Sequence, residues 1–268
     1  MLNLGNHQES PPAVGEILLY WRRLKKISQM ELALTVDVSS RHLSFVETGK
    51  SKPSRALILR LAEALSLPFR QRNTLLRSAG YSAEFNNLPF DHSEMGLVHD
   101  ALHSILAKHE PYPAIVMNAA YEILMKNSGF DRMVSWSAGE AALQKYTNIY
   151  RLMFAEDGLR PFFKDWPIIE HFVLARLLEE VMSTQNEALI ALYDEIILLK
   201  TDATPVDLHI ENNTPVSCFT LEKEGESASF FSTVMTFGTP INVTTQELRI
   251  ESLFPVDDYT QQLFLPID

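Results

Sequence analysis

The chain has 268 residues, of which 46% are apolar, and its formal net charge is −11. This apolar content excludes a disordered chain, and the length allows two ordinary domains. No stretch approaches ~20 uninterrupted apolar residues, so no membrane span is expected, and the N-terminus lacks the features of a signal peptide. Cys218 is the single cysteine and cannot form an internal disulfide, which is typical of a cytoplasmic protein.

The charge is distributed unevenly along the chain. Residues 1–85 contain 12 Lys and Arg against 7 Asp and Glu, a net charge of +5, which leaves −16 on the remainder. A basic head on an acidic body is typical of a small DNA-binding domain joined to a sensor or interaction domain.

The head begins with a predicted helix over residues 13–26, which has an apolar face and a basic face. The stretch 28–49 then predicts two short helices joined by a tight turn. Ser28 and Glu31 have the spacing of a capping box, Ser39 or Ser40 can cap the second helix, and Gly49 suits a left-handed C-cap. This pattern predicts a helix-turn-helix, although a simple helical hairpin is the alternative.

The first turn of the second helix carries short polar side chains and one long guanidinium. A helix-turn-helix places such residues in the major groove, and Arg41 is the best candidate to read a base directly. His42 is expected to contact the DNA backbone or cap the helix. The basic loop that follows offers Lys50, Lys52 and Arg55 to phosphates, which would set register without reading sequence.

Two further helices, 54–65 and 68–79, complete the predicted head, so the first domain is assigned to residues 1–79. Residues 80–92 form a linker with aromatic side chains that we expect to dock on a domain. The second domain is assigned to residues 93–268, and it begins with a helix over 94–109.

The second domain mixes helices and strands. Short strands are predicted at 113–117 and 121–125, helices over 127–134 and 138–200, and strand-like runs at 206–211, 216–223, 229–236 and 248–254. Asn118 and Asn127 lie at the corners of the first strands and are expected as turn and cap residues rather than ligand contacts. Helical spacing within 168–182 and 186–199 predicts these apolar side chains to point inward: Phe172, Leu174, Leu177, Leu178, Val181, Leu189, Leu192, Ile196 and Leu199. Three of the late strands and the two early ones predict a five-stranded antiparallel sheet in an α+β domain. The whole chain is therefore predicted to be a multidomain protein with an all-α head.

The sequence resembles two known families. SQMELA at 28–33, VSSRHLSFVETGKSKPS at 38–54 and LRLAEAL at 59–65 resemble the phage-repressor/Cro-like (XRE) helix-turn-helix. RHLSFVETGKSKPS, HEPYPA and FGTPINVTTQELRIE resemble the MmyB-like transcription regulators, which carry a PAS-like ligand-binding domain after the helix-turn-helix. Asn242 departs from the Asp expected in the last of these motifs.

The resemblance implies roles for individual residues of the head. Gln29 matches a phosphate-binding position, while Ser39, Ser40, Ser44 and Phe45 fall in or beside the groove-facing helix. Phe45 would either meet a thymine methyl or pack against the preceding helix. The positions of Arg22 and Glu47 correspond to a partly buried ion pair, for which two solvated charges are the alternative.

In the second domain, the resemblance implies a PAS-like fold that binds a fatty-acid-like or other apolar effector. Large apolar side chains on facing elements are candidates to line a pocket, and core packing is the alternative for each. Arg151 and Arg249 are both candidates to meet an acidic ligand, because each lies in an otherwise apolar stretch. Since Arg249 is flanked by Glu247 and Glu251, a structural ion pair is the stronger interpretation for it. The candidate pocket residues are Met117, Leu124, Phe130, Met133, Arg151, Leu152, Phe154, Phe219, Phe231 and Val234.

The sequence thus predicts a DNA-binding transcription regulator that forms a homodimer on an operator and responds to a small apolar effector. The alternative is a regulator whose second domain only dimerises or binds proteins, without a small-molecule ligand. No motif of an enzyme or of a cofactor site is recognised, and no metal site is expected, because His99 and His103 share one helix without further ligands.

Overall fold

The computed structural model describes residues 13–201 and 218–265, and these residues divide into two compact units. The first unit runs to Leu88 and includes Ile241–Val243; the second comprises Pro89–Pro240 and the chain from Thr244 onwards. No helix within these described ranges is both long and apolar enough to cross a membrane. The predicted strand at 206–211 lies outside the described residues.

The first unit is built from helices only. Helices α2 and α3 form the predicted helix-turn-helix, and Asp37, with a φ of 51°, lies in the turn between them. The five helices are α1 (Val14–Leu24), α2 (Gln29–Thr35), α3 (Ser40–Glu47), α4 (Arg55–Ala64) and α5 (Phe69–Ser78).

Serine side chains begin three of these helices. The Oγ atoms of Ser28, Ser39 and Ser54 accept hydrogen bonds from backbone N–H groups of the first turn at 3.1–3.2 Å. Each satisfies a donor that has no partner inside the helix. The predicted capping box of Ser28 and Glu31 is present, and Ser39 rather than Ser40 caps α3.

The core of the first unit is closed by residues from all five helices. Leu18, Leu32, Leu43, Leu61 and Leu75, one from each helix, are each at most 1% exposed. Two aromatic side chains that follow α5 pack on this unit: Phe85 stacks on Phe69 at 3.9 Å between ring centroids, and Tyr81 donates a hydrogen bond to the carbonyl of Pro53 at 3.1 Å.

The second unit combines helices with one sheet. Its helices are α6 (Gly96–His109), α7 (Ser128–Ser137), α8 (Glu140–Lys145), α9 (Ile149–Phe154), α10 (Trp166–Thr184), α11 (Glu187–Ile197), α12 (Val243–Glu247, which begins within the first unit) and α13 (Asp258–Phe264). Its strands are β1 (Ala114–Met117), β2 (Ile123–Lys126), β3 (Cys218–Lys223), β4 (Glu226–Met235) and β5 (Arg249–Pro255).

The sheet has the strand order β2-β1-β5-β4-β3, and each neighbouring pair is antiparallel. The prediction of a five-stranded antiparallel sheet is therefore confirmed. Because side chains alternate along a strand, Phe230 and Phe231 point to opposite faces. Phe230 lies in the main core beside Phe264, whereas Phe231 stacks on Phe254 on the other face.

Asn127 joins the start of the sheet to α7. Its Oδ1 atom accepts hydrogen bonds from the backbone N–H groups of Ala114 and Phe130 at 2.9 and 3.0 Å, and its amide donates to the carbonyl of Tyr112 at 2.8 Å. Asn118 similarly accepts from the backbone of the turn between β1 and β2. Both asparagines have the cap and turn roles that their positions predict.

Helix α10 differs from its predicted packing. Leu174, Leu177 and Val181 are buried as expected, but Phe172 and Leu178 are each 41% exposed. In α11, Leu189, Leu192 and Ile196 are buried, whereas Leu199, beyond the end of the helix, is 43% exposed. Apolar periodicity therefore located the buried stripe of each helix but assigned it too many residues.

Candidate nucleic-acid interface and ligand cavity

Helix α3 has one buried and one exposed face. Leu43 and Val46 point into the core and are fully buried, while Ser40 and Arg41 are exposed. Ser39 is also exposed, but its Oγ is engaged by the backbone N–H of His42 at 3.1 Å. The first turn of α3 therefore presents Ser40 and Arg41 to solvent, with the guanidinium as its longest donor group.

Phe45 lies on α3 next to two cations. The Cζ atom of Arg41 is 5.4 Å from its ring centroid, and the Nζ atom of Lys50 is 5.9 Å away. Phe45 is half-buried, as is Ser44, so its ring has both a packed side and an open side. Both roles suggested by the sequence, packing and contact with a base methyl, are compatible with this position.

The basic loop after α3 is held by the segment that follows α5. The Nζ atom of Lys52 lies 5.2 Å from the ring centroid of Tyr81, and Arg55 forms an ion pair with Glu84. Lys50 and Lys52 are exposed, so their charges remain available to phosphates. The charge of Arg55 is already partly neutralised by Glu84.

Arg22 of α1 and Glu47 of α3 make a bidentate ion pair. The Nε and Nη2 atoms of Arg22 donate to the two carboxylate oxygens of Glu47 at 2.7 and 2.9 Å. Gln29 also donates its amide to Glu47 at 2.8 Å, so its N–H group is engaged by protein rather than directed only to solvent. Together the three side chains connect α1, α2 and the end of α3.

The second unit contains a cavity of about 480 Å³ between the sheet and helices α7, α9 and α10. Most of its wall is apolar. The lining residues are Pro113, Ala114, Ile115, Tyr121, Phe130, Met133, Ile149, Tyr150, Met153, Leu159, Phe163, Ile169, Phe172, Val173, Arg176, Glu179, Cys218, Phe219, Leu221, Ser232, Glu251 and Leu253.

Two tyrosines in this wall belong to a buried polar network. The hydroxyl of Tyr121 donates to Glu180 at 2.7 Å, and Arg249 donates to the other oxygen of Glu180 at 3.0 Å. Burial and the neighbouring Glu180 carboxylate raise the pKa of Tyr121 to about 12. Burial and the neighbouring Tyr121 raise the pKa of Tyr150 well above its ordinary value. Both phenols therefore stay protonated near neutral pH.

The mostly apolar wall also contains the charged side chains Arg176, Glu179 and Glu251. Burial raises the pKa of the Glu251 carboxyl, while the Arg176 guanidinium and a hydrogen bond with Ser232 act in the opposite direction. Sequence reasoning missed Arg176 and Glu251 as site residues. For Arg176 a signal was present, because it shares a helical face with Ile169, Phe172 and Val173.

Three of the ten residues that the sequence proposed for a pocket line this cavity: Phe130, Met133 and Phe219. The structure places the other seven outside its lining. Met117, Leu152 and Phe154 are buried core residues behind the wall, and Phe154 packs edge-on against Trp166 at 4.9 Å.

The remaining four differ from the prediction for other reasons. Phe231 points to the opposite face of the sheet, and Val234, near the end of β4, is 38% exposed. Leu124 lies half-buried on the edge strand β2 and is not part of the wall. Arg151 is bound instead by Glu122 and Glu195, at 3.2 and 2.8 Å.

The described ranges contain no group of three or more His, Cys, Asp and Glu side chains that could hold a metal ion. Of the two histidines on α6, His99 is engaged by the carbonyl of Phe90 at 2.7 Å and packs against the ring of Phe90.

A helix-turn-helix with an exposed polar first turn, and an α+β domain with a largely apolar cavity, define the class of two-domain DNA-binding regulators that carry a ligand-binding domain. Comparison with known families agrees. Residues 98–265 match the MmyB-like transcription regulator ligand binding domain, and residues 18–71 match a helix-turn-helix family. The chain belongs to the MmyB-like transcription regulators, as its sequence motifs predict, and both matched families describe regulator domains rather than enzymes.

No curated protein matches the chain. Among solved structures, one described as "Structure of an RNA-binding Light-Oxygen-Voltage Receptor" is 12% identical, with a TM-score of 0.26. The match covers 94% of this chain and 61% of that receptor, so the chain spans less than two thirds of its length.

Proposed function

We propose that this chain regulates transcription by binding an operator through α3 and by sensing a small, mostly apolar, fatty-acid-like effector in the cavity of its PAS-like second domain. The observation that carries the proposal is the cavity itself. Its volume of about 480 Å³ lies in the range of small-molecule sites, and its walls are apolar with a few polar groups.

The composition of the wall supports an apolar effector. Phe130, Phe163, Phe172, Phe219 and Leu253 come from helices, strands and connections that surround one space. Apolar surface around an open space gains free energy when an apolar chain replaces water. A second domain that served only for dimerisation or protein binding would have no need of such a space, so the cavity favours a sensor over that alternative.

In the head, different residues are placed to contact bases and phosphates of an operator. Arg41 is exposed at the start of α3, where a guanidinium can bond two acceptors of guanine. Ser40, Ser44 and Phe45 lie on the same helix, and Lys50 and Lys52 offer charge to phosphates. Modules of this size gain specificity by pairing on two half-sites, so we expect the active species to be a homodimer.

Operator recognition can be tested by selecting binding sites from random DNA with the purified chain, and then measuring affinity for selected and scrambled duplexes. We expect Arg41→Ala to lower the preference for the selected site by roughly 10- to 100-fold, since a bidentate base contact contributes about 1–3 kcal/mol of discrimination. Arg60→Ala, which removes another exposed arginine, on α4, is the matched control. If Arg41→Ala keeps the full preference, Arg41 does not read the base.

Effector binding can be tested by native mass spectrometry of freshly purified protein, compared with its denatured mass, and by titration with a medium-chain fatty acid. Val173→Trp should fill the cavity and abolish binding, while Leu178→Trp, on the exposed face of the same helix, should not. A chain that neither carries extra mass nor binds the fatty acid at any concentration below its solubility limit would overturn the effector assignment. The same spectra report whether the chain is a dimer.

A further inference from the structure

The cavity wall contains a guanidinium, Arg176, and a carboxyl group, Glu251, that are not joined by an ion pair. Arg176 of α10 makes no hydrogen bond or ion pair within residues 13–201 and 218–265. Glu251 of β5 is hydrogen-bonded to Ser232 on the neighbouring strand β4. Both residues line the ligand space.

Arg176 is the one cation among the described residues that line the cavity. The nearby Arg249 does not serve as a second, because it is bound to the carboxylate of Glu180 at 3.0 Å and donates to the carbonyl of Glu247 at 3.3 Å. A guanidinium has five N–H donors and matches a carboxylate in a bidentate way. In an apolar cavity these donors would be satisfied by an acidic headgroup.

Glu251 creates a conflict for such a headgroup. A ligand carboxylate bound at Arg176 would place another acidic group beside Glu251, in a cavity whose described lining also includes Glu179 and contains one cation. Two carboxylates that share a site do not both stay ionised, because the pair holds one proton at much lower free energy. Burial already favours the protonated, neutral form of Glu251, so this residue can hold the shared proton.

We propose that the effector's carboxylate binds Arg176 beside Glu251, and that the two carboxyl groups share one proton taken from solvent, so that binding becomes weaker as the pH rises. This inference rests on the proposed function, since it assumes an acidic effector with an apolar chain. It goes beyond that function by naming the headgroup site and by coupling ligand occupancy to pH.

Other titratable or charged groups face this part of the cavity from the elements packed around it. The phenols of Tyr121 and Tyr150 stay protonated. Glu180 is paired with Arg249 beside Tyr121. Glu179 of α10 and Cys218 of β3 also line the cavity.

The test is a titration of the full chain with decanoate and with decanol between about pH 6 and about pH 9. For the wild-type chain, the Kd for decanoate should rise about tenfold per pH unit above the pKa of Glu251, while the Kd for decanol stays constant. In Glu251→Gln the amide can donate to the ligand without titrating, so decanoate should bind with an affinity that does not depend on pH. Glu179→Gln is the matched control and should keep the wild-type slope.

Arg176→Gln should lose at least about tenfold in affinity for decanoate and keep its affinity for decanol, because a charged bidentate contact is removed. Retained decanol binding shows, for each variant, that the chain is folded and the cavity intact. The inference is overturned if decanoate binds the wild-type chain equally well at every pH, if Glu251→Gln keeps the wild-type slope, or if Arg176→Gln binds decanoate normally. Failure of both probes to bind any variant would overturn the proposed effector class as well, which distinguishes the two outcomes.

Discussion

At the scale of single residues, the head contains a buried carboxylate with a complete set of partners. Glu47 is only 6% exposed, and its two oxygens are satisfied by Arg22 and Gln29 at 2.7–2.9 Å. A buried carboxylate that loses its cation keeps its desolvation cost without compensation. The pair therefore fixes how α1 meets the end of α3. A substitution at Arg22 is expected to destabilise the whole head.

We expect Arg22→Met to reduce the free energy of opening of α1 and α3 by about 3 kcal/mol, because it removes the ion-pair partner of the buried Glu47 carboxylate and leaves it the hydrogen bond from Gln29. Native-state hydrogen exchange followed by mass spectrometry measures this loss for the head within the full chain. Arg23→Met removes the adjacent, exposed arginine and should change protection by less than about 0.5 kcal/mol. Equal effects of the two substitutions would show that the ion pair of Arg22 stabilises the head no more than the exposed Arg23 does.

The same carboxylate gives the head a defined response to acid. Burial raises the pKa of Glu47, but hydrogen bonds from Arg22 and Gln29 outweigh it, and the pKa lies below its ordinary value of 4.5. A carboxyl whose pKa is lower in the folded than in the unfolded chain stabilises the folded state when the pH is above the pKa of the unfolded chain. This contribution to stability is lost as the pH falls through the pKa of Glu47 in the folded chain.

Calorimetric unfolding of the full chain at a series of pH values between about 3 and 7 tests this response. The wild-type head should lose stability as the pH falls below the ordinary carboxyl range. Glu47→Gln should be less stable near neutral pH and should show a shallower loss in acid. Parallel curves for the two proteins would mean that Glu47 does not titrate with folding.

At the scale of elements, the first unit requires close contact between α1 and the end of α3. A Cβ atom placed on Gly15 would lie 2.4 Å from the carbonyl oxygen of Val46 and 2.5 Å from that of Glu47. Backbone atoms cannot give way as a flexible side chain can. Gly15 therefore sets the distance at which Arg22 reaches Glu47, and the sequence pattern gave no indication of it.

Gly15→Ala should destabilise the head by about 1–3 kcal/mol, the usual cost of overpacking, despite the higher helix propensity of alanine. Gly96→Ala is the matched control, since a Cβ at this first position of α6 meets nothing within 4 Å. We expect the control to be neutral or slightly stabilising. Thermal unfolding of both variants measures the difference, and a neutral Gly15→Ala would contradict the close helix contact.

Helix α10 shows how one element serves two surroundings. Leu174, Leu177 and Val181 are buried, while Ile169, Phe172, Val173 and Arg176 face the cavity. When a helix has apolar residues on two neighbouring faces, the sequence pattern predicts one broad buried face. That is why Phe172 was expected inside the core, although its exposed ring is part of the ligand space.

At the scale of the whole molecule, the proposed sensor must couple two binding events. If an effector changes the affinity of the chain for its operator, thermodynamic linkage requires that operator DNA change the affinity for the effector by the same factor. Only a ligand that distinguishes between two states of the protein can have this effect.

We expect decanoate, at a concentration that saturates the cavity, to change operator affinity by roughly 5- to 150-fold, the usual range of such coupling. Fluorescence anisotropy with labelled operator measures the change in operator affinity. Isothermal titration calorimetry with and without operator measures the linked change in affinity for decanoate. Val173→Trp should bind DNA with one affinity regardless of decanoate. An operator affinity that is identical with and without bound ligand would leave the cavity without a regulatory role.

Local features were largely determined by the sequence itself. Ser28, Ser39, Ser54 and Asn127 begin helices because a short polar side chain can satisfy the first backbone donors, which depends only on neighbours in the chain. The helix-turn-helix, the five antiparallel strands, the uneven charge and the family membership follow from such local patterns.

The tertiary structure alone decided which side chains meet across long distances. Whether an apolar residue fills the core or borders an open space depends on the shape left between elements, so Met117 and Phe154 lie in the core while Phe130 and Phe219 line the cavity. Arg151 and Arg176 are both cations in apolar stretches, but Glu122 and Glu195 bind the first and leave the second facing the ligand space. The partner of a charge is set by packing between segments far apart in sequence, which periodicity and composition do not encode.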